Sequence, residues 1–197
     1  MSTNAHELRE SVRLAYSAAA SDPSAKHPFP VGSGFARDLG YPQDVLSRVP
    51  DESVEAFAGV SAVSIQAQLR EGLTVLDLGC GAGLDSLVAA ERVGLTGCVV
   101  GIDFSPIMLD RANCSARRRH HLHVAFVRAS AEELPLHDSS IDVALVNGIF
   151  NLNPFREGIF RELSRVVRPG GHVFGAELIL QSALPKILQS GTANWFS

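Results

Sequence analysis

The sequence predicts an α/β chain built on a doubly wound, mostly parallel sheet. Two observations carry this. The apolar run Val75-Leu76-Asp77-Leu78 empties into a glycine-rich loop, Gly79-Cys80-Gly81-Ala82-Gly83, and a second run, Gly101-Ile102-Asp103, ends in a carboxylate about 20 residues later. After that, short apolar runs alternate with segments of helical periodicity through to Glu177, as parallel strands joined by right-handed crossovers require.

Strands are expected near Thr74–Leu78, Cys98–Ile102, Val124–Arg128, Asp142–Asn147 and His172–Glu177. Helices are expected near Leu84–Val93, Pro106–Ala116 and Phe155–Val167, and Ser105-Pro106 reads as an N-cap followed by the first helical residue. Ahead of the core, Glu7–Ala20 reads as an amphipathic helix and residues 21–40 as a connection rich in Pro, Gly and Ser. Three segments follow: 1–70 as a helical cap and connection, 71–180 as the ligand-binding core, and 181–197 as the start of an incomplete carboxyl-terminal region.

The loop chemistry selects the ligand. Glycines at 79, 81 and 83 allow positive φ and a close approach of backbone to ligand. Asp103 stands where a ribose diol is accepted, and its charge rejects a 2′-phosphate. The dinucleotide spacing G-x-G-x-x-G is not met, because Leu84 takes the sixth place and the third glycine comes one residue early. Asp77 would repel a pyrophosphate there and suits a cationic adenosine derivative, S-adenosylmethionine.

At these residues the chain resembles the class I methyltransferases that use S-adenosylmethionine, whose core is a Rossmann-like sheet. Phe104-Ser105-Pro106-Ile107-Met108 resembles the segment after the acidic residue, and Ser130-Ala131-Glu132 the loop that contacts adenine. The run ending in Asn147 resembles strand four, and Arg168-Pro169-Gly170-Gly171 the turn before strand five. The resemblance implies a cofactor set of Asp77, Gly79, Gly81, Gly83, Asp103, Phe104, Met108, Ser130, Ala131, Glu132 and Asn147, with S-adenosylhomocysteine as product. Ser130 stands where many relatives carry a carboxylate; either cofactor affinity is lower here or Glu132 takes over the adenine amino group. Asp85 reads equally as a partner of its helix dipole or as a residue supporting the cofactor site, and Tyr16 as a packed helix residue or an aromatic cover.

Within that class the chain is most similar to the arsenite methyltransferases, through Tyr41-Pro42, Val49-Pro50-Asp51-Glu52, Gly83-Leu84-Asp85 and Asn151-Leu152-Asn153-Pro154. That branch holds trivalent arsenic on cysteine thiolates, soft ligands for a soft centre. Here the aligned positions are Gly59-Val60-Ser61-Ala62, Gly148, and a place beyond Ser197, and none carries a thiol. The expected acceptor is therefore a small molecule with an O, N or C nucleophile other than arsenite, with extra space where Gly148 replaces cysteine. Two alternatives stay open: an arsenite-type enzyme, and a cofactor-binding module without catalysis. No general base is identified.

The three cysteines, Cys80, Cys98 and Cys114, match no compact metal spacing, and His120, His121 and His123 lack a completing ligand, so no metal is expected. A net charge of −4 gives no reason to expect nucleic acid, and the Arg117-Arg118-Arg119 run reads as a solvated helix end. No apolar run approaches the roughly 20 residues of a membrane span, and the cytoplasm is the expected compartment. Strand five is expected to leave an unpaired edge, through which a homo-oligomer would form.

Overall fold

The computed structural model describes residues 2–120 and 123–179. Five helices come first: α1 (Ser2–Ser21), α2 (Gly32–Asp38), α3 (Gln43–Leu46), α4 (Asp51–Val54) and α5 (Val63–Gln66). The core follows as β1 (Thr74–Leu78), α6 (Leu84–Val93), β2 (Cys98–Asp103), α7 (Pro106–Arg118), β3 (Val124–Arg128), β4 (Ile141–Asn147), α8 (Arg156–Val166) and β5 (Val167–Ala176).

The sheet runs β3-β2-β1-β4-β5 and every neighbouring pair is parallel. The chain winds outward from β1 through β2 to β3, then returns to place β4 on the other side of β1. That reversal opens a crevice beyond the carboxyl ends of β1 and β4, where α/β sheets bind their ligands. The expected doubly wound fold is thus present.

Each strand reads as it does because of what covers it. Val75, Leu76 and Leu78 of β1 are almost wholly buried, since helices lie on both faces and an inner parallel strand has no solvent side. One face packs Leu76, Leu78, Ile102 and Val146 against Ile159 and Leu163 of α8. The other packs Val75, Val99 and Leu145 against Ala89, Ala90 and Val93 of α6 and Val63 of α5. At the start of α7 the Ser105 hydroxyl accepts from the Met108 amide and Pro106 occupies the first turn, as the sequence predicts.

Three expectations need correction. Residues 21–40 contain a helix, α2, whose Ala36 is fully buried beside Leu84 and Leu87. The segment 43–66 adds α3, α4 and α5, and Tyr41, Leu46, Val54 and Phe57 share one core with Leu84, Leu87 and Val88 of α6. Strand five starts at Val167, directly after α8, because Arg168–Gly171 forms a bulge inside it: Ile141 pairs with Val167 but Val143 already pairs with His172. Among the described residues no strand pairs with the outer edge of β5, where Val173 is 47% exposed. The segment 181–197 and His121 lie outside the described residues.

The basic run at the end of α7 is tied to the surface around it. Arg118 pairs with Glu52 and Arg119 with Glu91. Among the described residues no three His, Cys, Asp or Glu side chains gather as metal ligands, and no helix is long and apolar enough to cross a membrane.

Candidate functional site

The loop after β1 is fastened from below before it meets any ligand. The amides of Gly79 and Cys80 both donate to the Ile102 carbonyl of β2, at 2.8 and 3.0 Å. Gly79 (φ +77°) lines the crevice, and a Cβ there would collide with Ile149 from the loop after β4. Gly83 (φ +87°) caps α6; a Cβ there would lie 3.0 Å from Ala112 and from the Phe126 ring. Gly81 borders the crevice, whereas Gly83 sits behind it and sets how closely α6 approaches α7 and β3.

Asp103 closes the loop from the β2 side. Its carboxylate accepts from the Gly81 amide at 2.9 Å and from the Ser105 amide at 2.8 Å. Asp77, at the end of β1, accepts from the Ser86 hydroxyl on α6. Asp85 accepts from the Tyr41 phenol, from the Ser64 amide at 3.1 Å and from the Asn147 amide at 2.9 Å. All three carboxyls border the crevice, and burial pushes all three above the usual carboxylate range.

Asn147, at the end of β4, is saturated. Its Oδ1 accepts from the amides of Val60 (2.8 Å) and Ser61 (3.2 Å), while its Nδ2 donates to the Ser61 carbonyl (2.8 Å) and to Asp85. An asparagine amide offers two donors and an acceptor with two lone pairs, so nothing is left over. Gly59 is glycine for this reason: a Cβ there would run into the Asn147 amide and Phe57. Gly148 overturns a second expectation. A Cβ there would stand 3.0 Å from Val60 Cγ1, so Val60 fills the space that losing a cysteine would open.

On the β3 side Phe104, Met108, Ala131 and Glu132 line the crevice, whereas Ser130 does not. The Ser130 hydroxyl donates to Glu132 and accepts from Arg9 of α1, and Asn153 adds a bond to Glu132 at 2.8 Å. Burial raises the Glu132 carboxyl, but Ser130, Asn153 and Arg9 together hold it below its usual range. Arg9 and its part in this network escaped the sequence reading, since Arg9 lies more than 100 residues from Ser130 and Glu132. Tyr16 stacks on Phe29 with ring centroids 4.5 Å apart and also borders the crevice.

Residues 69–196 match the family model described as "Methyltransferase domain". The chain belongs to that family. This methyltransferase domain is 34% identical over 157 residues to an arsenite methyltransferase of Halobacterium salinarum, covering 80% of the chain and 40% of that protein. It is 34% identical over 102 residues to a demethylmenaquinone methyltransferase of Lactococcus lactis, covering 52% of the chain and 40% of the relative. The crystal structure of an arsenic(III) S-adenosylmethionine methyltransferase from Chlamydomonas reinhardtii superposes with a TM-score of 0.58 at 31% identity, over 81% of the chain and 53% of that structure. The chain thus spans about 40% of the length of the curated relatives it matches.

The crevice of the methyltransferase domain fits the cofactor of its class. Four carboxyls border it, and among the described residues the one bordering arginine, Arg9, is committed to Ser130 and Glu132. Such a lining suits a cationic ligand better than a pyrophosphate. A pH effect follows. Because burial, then the neighbouring Asp85 charge, raises the Asp77 carboxyl, the unliganded fold is stabilised by protonation, and this stability falls as pH climbs from the ordinary value of 3.8 through the raised one. A bound cation favours the ionised form. Uptake of S-adenosylmethionine at pH 7 is expected to release protons, measured by calorimetry in buffers of different ionisation enthalpy, with less release for the uncharged thioether product.

Proposed function

We propose that this chain binds S-adenosylmethionine across the β1–β2 floor and transfers its methyl group to a small-molecule acceptor other than arsenite. The observation that carries the reading is the pairing of the Gly79–Gly83 loop with the buried carboxyls of Asp77 and Asp103 at the switch point of the sheet. In it Asp103 accepts from the ribose, Asp77 balances the cationic end, and Phe104 and Met108 flank the base. Glu132, facing the crevice where Ser130 does not, takes the adenine amino group. Asn147 supports the site from behind through Asp85 and the 60–61 backbone.

The cofactor supplies an activated methyl on a sulfonium, and the protein contributes orientation and exclusion of water. The cap helps with the second task, since Val12 and Tyr16 of α1 and Phe57 border the crevice. Among the described residues no carboxylate bordering it is a free base: Asp77, Asp85, Asp103 and Glu132 each accept from neighbouring donors of the protein.

Exclusion of arsenite rests on sulfur. Cys80 borders the crevice, but its thiol lies 3.7 Å from the Gly81 carbonyl and burial raises its pKa well above that of a free thiol. Cys98 and Cys114 stand away from the crevice. Trivalent arsenic calls for converging thiolates. Titration calorimetry with S-adenosylmethionine and S-adenosylhomocysteine tests the reading, and absence of binding by both overturns it. Arsenite-dependent release of S-adenosylhomocysteine is expected to stay at background; turnover that rises with arsenite would revive the arsenite reading.

A further inference from the structure

We propose that the methyl acceptor is a carbon-rich, largely apolar molecule whose attacking atom needs no base from this chain, because the β4 side of the crevice is walled mainly by apolar side chains and the Asn147 amide beside them is fully committed. The inference rests on the reading above and narrows its substrate class. β1 lies between β2 and β4, so a cofactor held on Asp77 and Asp103 leaves the β4 side to the acceptor. That side is bounded by Phe57, Ala58 and Gly59 from the cap and by Gly148, Ile149 and Leu152 from the loop after β4.

The polar side chains of that loop, of which Asn147 and Asn153 border the crevice, bond to the protein itself. Asn147 donates to Ser61 and Asp85, Asn151 to the Leu178 carbonyl, and Asn153 to Glu132. Glu177, the nearest acid past β5, is filled by the amides of Phe150, Asn151 and Leu178. Thus the 147–153 segment commits much of its hydrogen bonding to holding its own shape, and Ile149 and Leu152 add aliphatic surface to the crevice. A strongly hydrated acceptor would lose water there without replacement bonds, whereas an apolar body gains by burial.

Among the described residues no unengaged carboxylate borders the crevice, and this restricts the reacting atom as well. In the transfer, a lone pair of the acceptor forms the bond to the methyl carbon, and the carbon–sulfur bond breaks with its electrons left on sulfur. An acceptor that enters as an oxyanion or carbanion, its proton already lost to water, leaves as the neutral methylated product, and no proton passes to the protein.

The test uses the 197-residue chain and begins with the affinity for S-adenosylhomocysteine. With that product saturating, 2-naphthol, phenol and ethanolamine are titrated as probes of apolar area. Naphthol is expected to bind at least tenfold more tightly than phenol, and ethanolamine not at all. Leu152→Asp is expected to weaken naphthol at least tenfold and Leu152→Ala about threefold, with the affinity for S-adenosylhomocysteine within threefold of the unaltered chain in both. Equal affinity for naphthol and phenol, preference for ethanolamine, or naphthol affinity untouched by Leu152→Asp overturns the inference while leaving cofactor binding in place. Failure of S-adenosylhomocysteine to bind instead brings down the reading beneath it.

Discussion

Asp103→Ala is expected to weaken S-adenosylhomocysteine binding by about 3 kcal/mol, roughly a hundredfold in Kd. Two effects combine. The proposed ribose contact is charge-assisted, and such bonds contribute about 1.5–3 kcal/mol each. The same carboxylate also holds the Gly81 and Ser105 amides, so its removal loosens the loop and the start of α7 together. Calorimetry reads the loss directly. Asp103→Asn separates the parts, since it keeps a hydrogen-bonding side chain but removes the charge; an intermediate loss is expected. A change below threefold for the alanine variant would mean that the ribose is not held at Asp103.

Asn147→Ala is expected to give the largest loss of stability, about 3 kcal/mol, or roughly 6–12 °C in Tm for a chain of this size. The substitution strands the Val60 and Ser61 amides, the Ser61 carbonyl and one oxygen of Asp85 in a largely buried place. Each unsatisfied group costs about 1–3 kcal/mol, offset in part by water that enters the new space. Asn151→Ala, only four residues on, removes a single bond to the exposed Leu178 carbonyl and is expected to change stability by less than about 0.5 kcal/mol. Thermal unfolding of the two variants side by side checks the contrast, and comparable losses would remove Asn147 from its central place.

Both residues were named from the sequence as cofactor contacts, and in the structure both border the crevice while bonding to neighbouring backbone amides. The β1 strand, its glycine loop, β2 and the Ser105-Pro106 helix start were legible because each signal lies within a few residues and each local preference agrees with the fold. The helices between residues 43 and 66 were not: four-residue turns after Pro42 and Pro50 carry no periodicity, and only the shared core with α6 makes them helical. Asn147 was read as a cofactor contact because it ends a strand beside the crevice. Its true partners lie 62 to 87 residues away, and no spacing announces them. Sequence left open whether Ser130 or Glu132, separated by Ala131, faces the crevice; in the structure Glu132 borders it while Ser130 bonds to Glu132. Arg168-Pro169-Gly170-Gly171 was read as a turn before strand five, whereas the register with β4 takes it up as a bulge inside β5.

The contact between Val60 and Gly148 bears on how readily this crevice could change its chemistry. Restoring a single thiol at position 148 would meet a left-handed backbone and a valine methyl already pressed against the site. Trimming Val60 alone would leave a hole and still no sulfur. A soft-metalloid site here would therefore need at least two coordinated replacements, each unfavourable by itself, so the sulfur-poor crevice resists one-step conversion.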